Sequence, residues 1–110
     1  MGTTTATLFL PQQQPLAVSV DGLALPDPKS GFAAVTERIA ELLGCAPDLV
    51  DVLASGADYV AYSVFDCEGP VNQAGMAAVA EVSGVAFEAD DEDAVLRGPV
   101  LIVSAFKLTF

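Results

Sequence analysis

The sequence contains no histidine and no tryptophan, and only four of its 110 residues are lysine or arginine. The absence of histidine excludes Ser-His-Asp and Cys-His catalytic arrangements and most catalytic zinc sites. Nucleic-acid-binding proteins concentrate basic residues on one face, and four scattered cations are too few for that. We therefore expect no direct binding of DNA or RNA. The four cations are Lys29, Arg38, Arg97 and Lys107.

Cysteine and long apolar runs are also scarce. Cys45 and Cys67 stand alone, so they form no Cys-x-x-Cys redox pair and cannot complete a four-ligand zinc site. We predict a buried apolar thiol at each position, with a disulfide between the two as the alternative. No apolar run approaches the roughly 20 residues that span a bilayer, and residues 1–7 carry no basic secretion signal. We expect a cytoplasmic protein without membrane contact or cofactor.

Acidic and apolar residues dominate what is present. Fifteen aspartates and glutamates give a formal net charge of -11, while 53% of the residues are hydrophobic. A chain of this length and composition can bury one hydrophobic core without disulfides or metals. We predict a single domain over residues 1–110.

The spacing of apolar residues predicts an α+β fold with the order β-ββ-α-ββ-α-β. We expect a mainly antiparallel sheet with both helices packed on one of its faces. An Asp21-Gly22 pair predicts a hairpin turn, and the glycines Gly44 and Gly84 are suited to helix ends. The predicted strands cover residues 3–10, 16–20, 23–25, 49–53, 59–65 and 95–110, and the helices begin after Ser30 and Asn72.

The last predicted strand is apolar on both faces over its first half. Val100 and Ile102 alternate with Leu101 and Val103, which is typical of a strand covered on both sides and hence central in a sheet. Phe110 at the end of this strand also favours a homodimer formed by an edge contact or by packing. The alternative is an internal strand in a complete monomer.

The most conspicuous local feature is the acidic segment 88–93. It is interpreted as a solvated loop, as a surface that docks a partner, or as a divalent-cation site, although the calcium-loop pattern is missing. In the docking interpretation, carboxylates that precede segment 88–93 in the sequence also belong to the surface, and no metal is required. The candidate binding residues are Glu88, Asp90, Asp91, Glu92 and Asp93, with Asp48, Asp51 and Asp58 as support.

Two segments of the second half carry a resemblance to a known group of proteins. Residues 65–74 read FDCEGPVNQA, and residues 96–103 read LRGPVLIV. This half resembles an uncharacterised family of small phage- and actinobacterial-type proteins of unknown function. The resemblance implies no activity, but it implies a mobile-element protein that acts on host machinery.

These observations favour a non-enzymatic protein that binds another protein through an acidic face, as an adaptor or inhibitor. The alternative is a DNA mimic that occupies the groove of a nuclease or transcription factor with its spaced carboxylates. An enzyme that uses Cys67, or carboxylates with a borrowed metal, is a third class that the sequence leaves open.

Overall fold

Five strands form one antiparallel sheet with two α-helices packed against it, so the predicted α+β fold is confirmed. A computed structural model describes residues 4–20, 23, 25, 29, 36–56, 58–65, 69–84 and 96–105. The strands are β1 (Thr5–Phe9), β2 (Leu16–Val18), β3 (Val50–Gly56), β4 (Tyr59–Val64) and β5 (Val100–Ser104). The helices are α1 (Glu37–Leu43), a 3-10 turn (Pro47–Leu49) and α2 (Gln73–Ser83).

The sheet has the order β2-β1-β5-β4-β3, with β5 at its centre. All five residues of β5 are buried, and the strand pairs with β1 on one side and β4 on the other. This placement confirms the prediction from its two apolar faces. It also means that Val100–Ser104 has no free edge for a contact between two copies of the chain. Phe110 lies outside the described residues.

The two helices lie on opposite faces of the sheet, so the prediction that both pack on one face is wrong. Successive side chains of a strand point to opposite faces, and a strand that is apolar on both needs a cover on each. Leu101 and Val103 belong to the core on the face of the sheet that α1 covers. Val100 and Ile102 belong to the core on the face that α2 covers. The α1 side contains Ala6, Leu8, Ile39, Leu43, Val60, Tyr62, Leu101 and Val103. The α2 side contains Phe9, Ala61, Ala78, Val79, Val100 and Ile102.

Three of the four α-helix ends follow the predicted capping residues. Gly44 ends α1 at φ 72° and Gly84 ends α2 at φ 75°, a left-handed conformation that glycine adopts without steric cost. The Asn72 side chain caps α2 by accepting a hydrogen bond from the backbone N–H of Gly75. Helix α1 begins at Glu37, so its predicted start after Ser30 is wrong, because Thr36 has an extended backbone (φ -115°, ψ 165°) through which a helix cannot continue. Ser30 itself lies outside the described residues.

The hairpins differ in part from the prediction. The N–H of Leu23 donates to the carbonyl of Val20, but Asp21 and Gly22 lie outside the described residues, and Leu23 and Leu25 belong to no strand. The β3–β4 hairpin extends through Ser55 and Gly56, beyond the end of the predicted strand 49–53. Its register shifts between Val52 and Ala54, which marks a β-bulge.

No helix within the described parts of the chain is both long and apolar enough to cross a membrane.

Candidate functional site

Three of the predicted binding carboxylates follow the edge strand β3. Asp48 lies in the 3-10 turn before β3, Asp51 is the second residue of the strand, and Asp58 lies in the turn that leads to β4. All three side chains are exposed. Charged residues along an edge strand discourage pairing with other chains, so their position also has a purely structural explanation.

The structure does not bring these three carboxylates together. Asp51 pairs with Ser63 near one end of the hairpin, whereas Asp58 lies at its turn. Because a strand rises about 3.3 Å per residue, the two positions are roughly 17 Å or more apart along β3. Within the described residues, no three acidic or cysteine side chains lie close enough together to hold a metal ion. Asp58 therefore stands apart from Asp51, whereas Asp48 lies only three positions before Asp51 in the sequence.

The predicted binding residues of the acidic segment are Glu88, Asp90, Asp91, Glu92 and Asp93. They lie outside the described residues, so their role in binding stays a prediction.

Two large apolar side chains are exposed beside Asp48 and Asp51. The exposed fraction of Phe65 is 63% and that of Leu49 is 40%. The backbone N–H of Phe65 donates to the carbonyl of Leu49 at 2.7 Å, which extends the β3–β4 ladder by one step beyond the pair Val50–Val64. This hydrogen bond fixes the two residues next to each other at the open end of the hairpin. We call Asp48, Leu49, Asp51 and Phe65 the hairpin patch.

The hairpin patch combines features that protein interfaces use. Aromatic and other large apolar side chains supply most of the binding free energy at the centre of an interface, and charged groups at its rim steer the approach of a partner. Phe65 and Leu49 provide the first feature, and the two aspartates provide the second. The apolar pair escapes sequence analysis because each residue continues an apolar run that is typical of core strands. One sequence signal for exposure is that Phe65 directly precedes the polar segment 66–70.

A second constellation surrounds Asn72, whose exposed fraction is only 1%. Its amide nitrogen donates to the carbonyls of Phe9 and Gly98, both at 2.8 Å, and its amide oxygen accepts from the N–H of Gly75 at 2.9 Å. The side chain thus joins the end of β1, the segment before β5 and the first turn of α2. With its donors and acceptor occupied by backbone, Asn72 acts as a positioning residue rather than a reactive group.

The Asn72 network also brings together the two segments that carry the family resemblance. Val71 forms an isolated antiparallel bridge with Arg97, and the N–H of Gly98 donates to the carbonyl of Pro70 at 3.0 Å. The Arg97 guanidinium lies 3.4 Å from the carbonyl oxygen of Gly69. Residues 69–74 and 96–100 therefore form one local unit, whose contacts involve mainly backbone.

A concave surface of about 490 Å³ lies at the end of α1. Glu37, Glu41 and Cys45 line it, and Cys45 is half-buried against the α1 side of the core. The prediction of a buried thiol is therefore wrong for Cys45, although the buried part of its side chain does pack against apolar residues. Cys67 lies outside the described residues.

A scan against protein-family models, a search of curated proteins and a search of solved structures each gave no match to this chain. The family resemblance stays a prediction.

Proposed function

We propose that the protein is a non-enzymatic binding domain that docks onto another protein through the hairpin patch. Phe65 and Leu49 would insert into an apolar pocket of the partner, while Asp48 and Asp51 would face basic groups at its rim. The observation that supports this most directly is the exposure of the adjacent Phe65 and Leu49 side chains, 63% and 40%.

The exposure of Phe65 and Leu49 supports binding to a protein. Leaving these side chains in water costs free energy, and folding alone does not require that they stay exposed. Aromatic side chains that remain in water forgo the free energy of burial, about 2 kcal/mol for a Phe. A backbone hydrogen bond of 2.7 Å holds the main chain of Phe65 beside that of Leu49, so the two side chains start from neighbouring backbone positions. Anchors that are held in place before binding lose less conformational entropy on binding.

The charge of the chain indicates the kind of partner. A formal net charge of -11 favours approach to a positively charged surface, and Asp48 and Asp51 place two of these charges beside the apolar anchors. The acidic segment 88–93 would add to the attraction. The resemblance of residues 65–74 and 96–103 to phage- and actinobacterial-type proteins supports an adaptor or inhibitor that acts on a host protein in the cytoplasm.

The first experiment is capture of the partner from an extract of the source cells, followed by measurement of its Kd for purified variants. We expect Leu49→Ser with Phe65→Ser to raise the Kd by about 30-fold or more, as replacement of interface anchors does. Leu16→Ser is the matched control, because Leu16 is 53% exposed on β2 at the opposite edge of the sheet. Equal effects of the two changes would contradict the proposal.

The second experiment separates the anchors from the charges. Asp48→Asn with Asp51→Asn should mainly slow association and flatten its salt dependence, since these carboxylates act at long range. Glu37→Gln with Glu41→Gln removes the same charge from exposed positions on α1 and serves as control. Duplex DNA that displaced the partner in competition would instead favour the DNA mimic, because phosphate arrays imitate carboxylates but not Phe65.

The acidic segment is tested independently. Replacing residues 88–93 by serine and asparagine should weaken the complex at low salt if these carboxylates take part. A partner that binds the replaced chain with unchanged Kd and salt dependence would remove the segment from the interface while leaving the hairpin patch in place.

A further inference from the structure

A cavity of about 560 Å³ lies between the β1–β2 connection and the start of α2. This volume falls within the range of small-ligand sites, about 300–1,000 Å³. The cavity lies next to the Asn72 network and is not lined by any residue of the hairpin patch. Its lining residues are Gln12, Gln13, Gln14, Val71, Gln73 and Ala74.

All four glutamines of the sequence line this one cavity. Three of them are consecutive at positions 12–14, and Gln73 comes from a distant part of the chain. The only asparagine, Asn72, is directly adjacent and anchors the wall. Every side-chain carboxamide of the protein is therefore gathered in one corner of the fold, which sequence composition alone does not require.

Among the lining residues that the structure describes, none is ionisable, although the chain contains 15 acidic residues. All four glutamines are exposed, and their amides are available for an external ligand. Each carboxamide offers donors and an acceptor, whereas none supplies a counter-charge. A cation would find no carboxylate among the described lining residues, and the net charge of -11 opposes an anion. The chemistry therefore suits a neutral ligand with both donors and acceptors.

The walls of the cavity are held in a fixed relation. Asn72, at the start of α2, donates to the carbonyl of Phe9, at the end of β1, so the helix and the strand cannot separate without loss of a buried hydrogen bond. On the other wall, the N–H of Gln13 donates to the carbonyl of Leu10 at 3.2 Å and closes a turn. Gln12 occupies this turn at φ 62°. The backbone of the lining is therefore prearranged, whereas the exposed glutamine side chains become ordered on binding.

We propose that this glutamine cavity binds a short uncharged stretch of peptide through its backbone amides. A peptide group has the same N–H and C=O as a carboxamide, so the two can pair in both directions. Val71 and Ala74 supply the apolar part of the lining, against which side chains of such a segment can pack. The site is separate from the hairpin patch and does not depend on the proposed function.

The carboxamides themselves report on the test. In the 15N-labelled full chain, all signals of side-chain carboxamide NH2 groups come from the residues at this corner. These residues are Gln12, Gln13, Gln14, Asn72 and Gln73. Titration with the capped neutral peptide N-acetyl-triglycine N-methylamide should move the glutamine signals along saturable curves. Parallel titrations use sodium acetate and maltose. Glutamine signals that stay unmoved by the peptide would overturn the proposal, as would stronger saturation by acetate or by maltose.

Variants locate the binding. Gln12→Ala with Gln73→Ala should raise the Kd of the capped peptide about tenfold, because two hydrogen bonds of ordinary net strength are removed. Gln73→Glu keeps the shape of the side chain but loses its donor, and it should also weaken binding. Ser55→Ala, an exposed polar position on β3, is the control and should leave the Kd unchanged. Equal Kd values for all of these chains would place the peptide elsewhere.

Discussion

The two sides of the sheet are held to their helices by different means. On the α1 side, Ile39 and Leu43 pack on the apolar surface of the sheet. On the α2 side, Ala78 and Val79 make a smaller apolar contact, and the buried Asn72 adds three hydrogen bonds to backbone atoms. Apolar packing depends on volume and tolerates small shifts, whereas hydrogen bonds of 2.8–2.9 Å fix position.

This difference explains where a precise site can be built. The glutamine cavity lies on the α2 side, next to the hydrogen bonds of Asn72. These directional bonds fix the position of the backbone that forms its walls. The hairpin patch depends less on either helix, because a backbone hydrogen bond of the β3–β4 ladder sets it. Four substitutions test whether apolar packing holds α1 and hydrogen bonds hold α2, and their expected effects decrease from the first to the last.

The largest loss should come from Asn72→Ala. The change leaves two buried carbonyls and one helix N–H without their partner, and we expect it to lower the free energy of unfolding by about 4 kcal/mol. Urea unfolding measures the loss, and hydrogen exchange should show α2 losing more protection than α1. Gln73→Ala, next in the chain but exposed, is the control. A loss below about 1 kcal/mol would show that packing alone positions α2.

Should Asn72→Ala fail to fold, Asn72→Asp provides the same information. The carboxylate keeps the acceptor for Gly75 but turns an oxygen toward the carbonyls of Phe9 and Gly98, in place of the amide donor. We expect its stability to recover as the pH falls and the carboxyl group protonates.

Ile39→Ala should have the second largest effect. Ile39 is 1% exposed on α1, and the cavity left by its truncation should cost about 3 kcal/mol. Hydrogen exchange should now show the reverse pattern, with α1 losing more protection than α2. Glu41→Ala on the exposed side of the same helix should change stability by less than about 0.5 kcal/mol. Equal loss of protection in both helices would mean that the two sides unfold as one unit.

The sequence predicts the structure correctly where the role of a residue depends only on its own backbone or side-chain geometry. Gly44, Gly84 and Asn72 mark helix ends through their own backbone or side-chain geometry, and all three were predicted. The central position of β5 followed from the alternation of Val100–Val103. The same alternation required a helix on each face, but the prediction of a single helical layer did not use it.

The sequence does not predict the exposure or the neighbours of a residue where these depend on residues that are distant in the chain. The predicted strand 49–53 ends before Gly56, yet this residue lies in β3, where a Cβ would come within 2.5 Å of the Tyr59 ring. Leu49 and Phe65 look like core residues because only the packing of the helices decides which apolar positions stay exposed. The gathering of Gln73 with residues 12–14 is set by the pairing around Asn72, for which the sequence holds no local signal.

Gly75→Ala should have a smaller effect that isolates close packing on the α2 side. A Cβ at this position would lie 2.9 Å from a methyl group of Val100 and 3.0 Å from the Asn72 side-chain carbon. Alanine usually stabilises a helix relative to glycine by about 1 kcal/mol, but here we expect a net loss of about 1 kcal/mol from overpacking. Val100→Ala in the same chain should recover part of the loss in a double-mutant cycle. A stabilised Gly75→Ala variant would contradict this close approach.

Tyr62 should produce the smallest effect, visible only at alkaline pH. It is fully buried on the α1 side, and desolvation raises the pKa of its phenol above the ordinary value of 10.0. Above about pH 10 the unfolded chain loses this proton while the folded chain retains it, so the contribution of Tyr62 is complete below that pH and is lost above it. The free energy of unfolding should therefore fall more steeply in the native chain than in Tyr62→Phe, by at most about 1.4 kcal/mol per pH unit. Val60→Ala, which truncates a buried side chain on the same face of β4 and removes no titratable group, is the control and should keep the native slope. Equal slopes for the native chain and Tyr62→Phe would mean that water reaches the phenol, and that the α1 side is less tightly closed than its apolar packing implies.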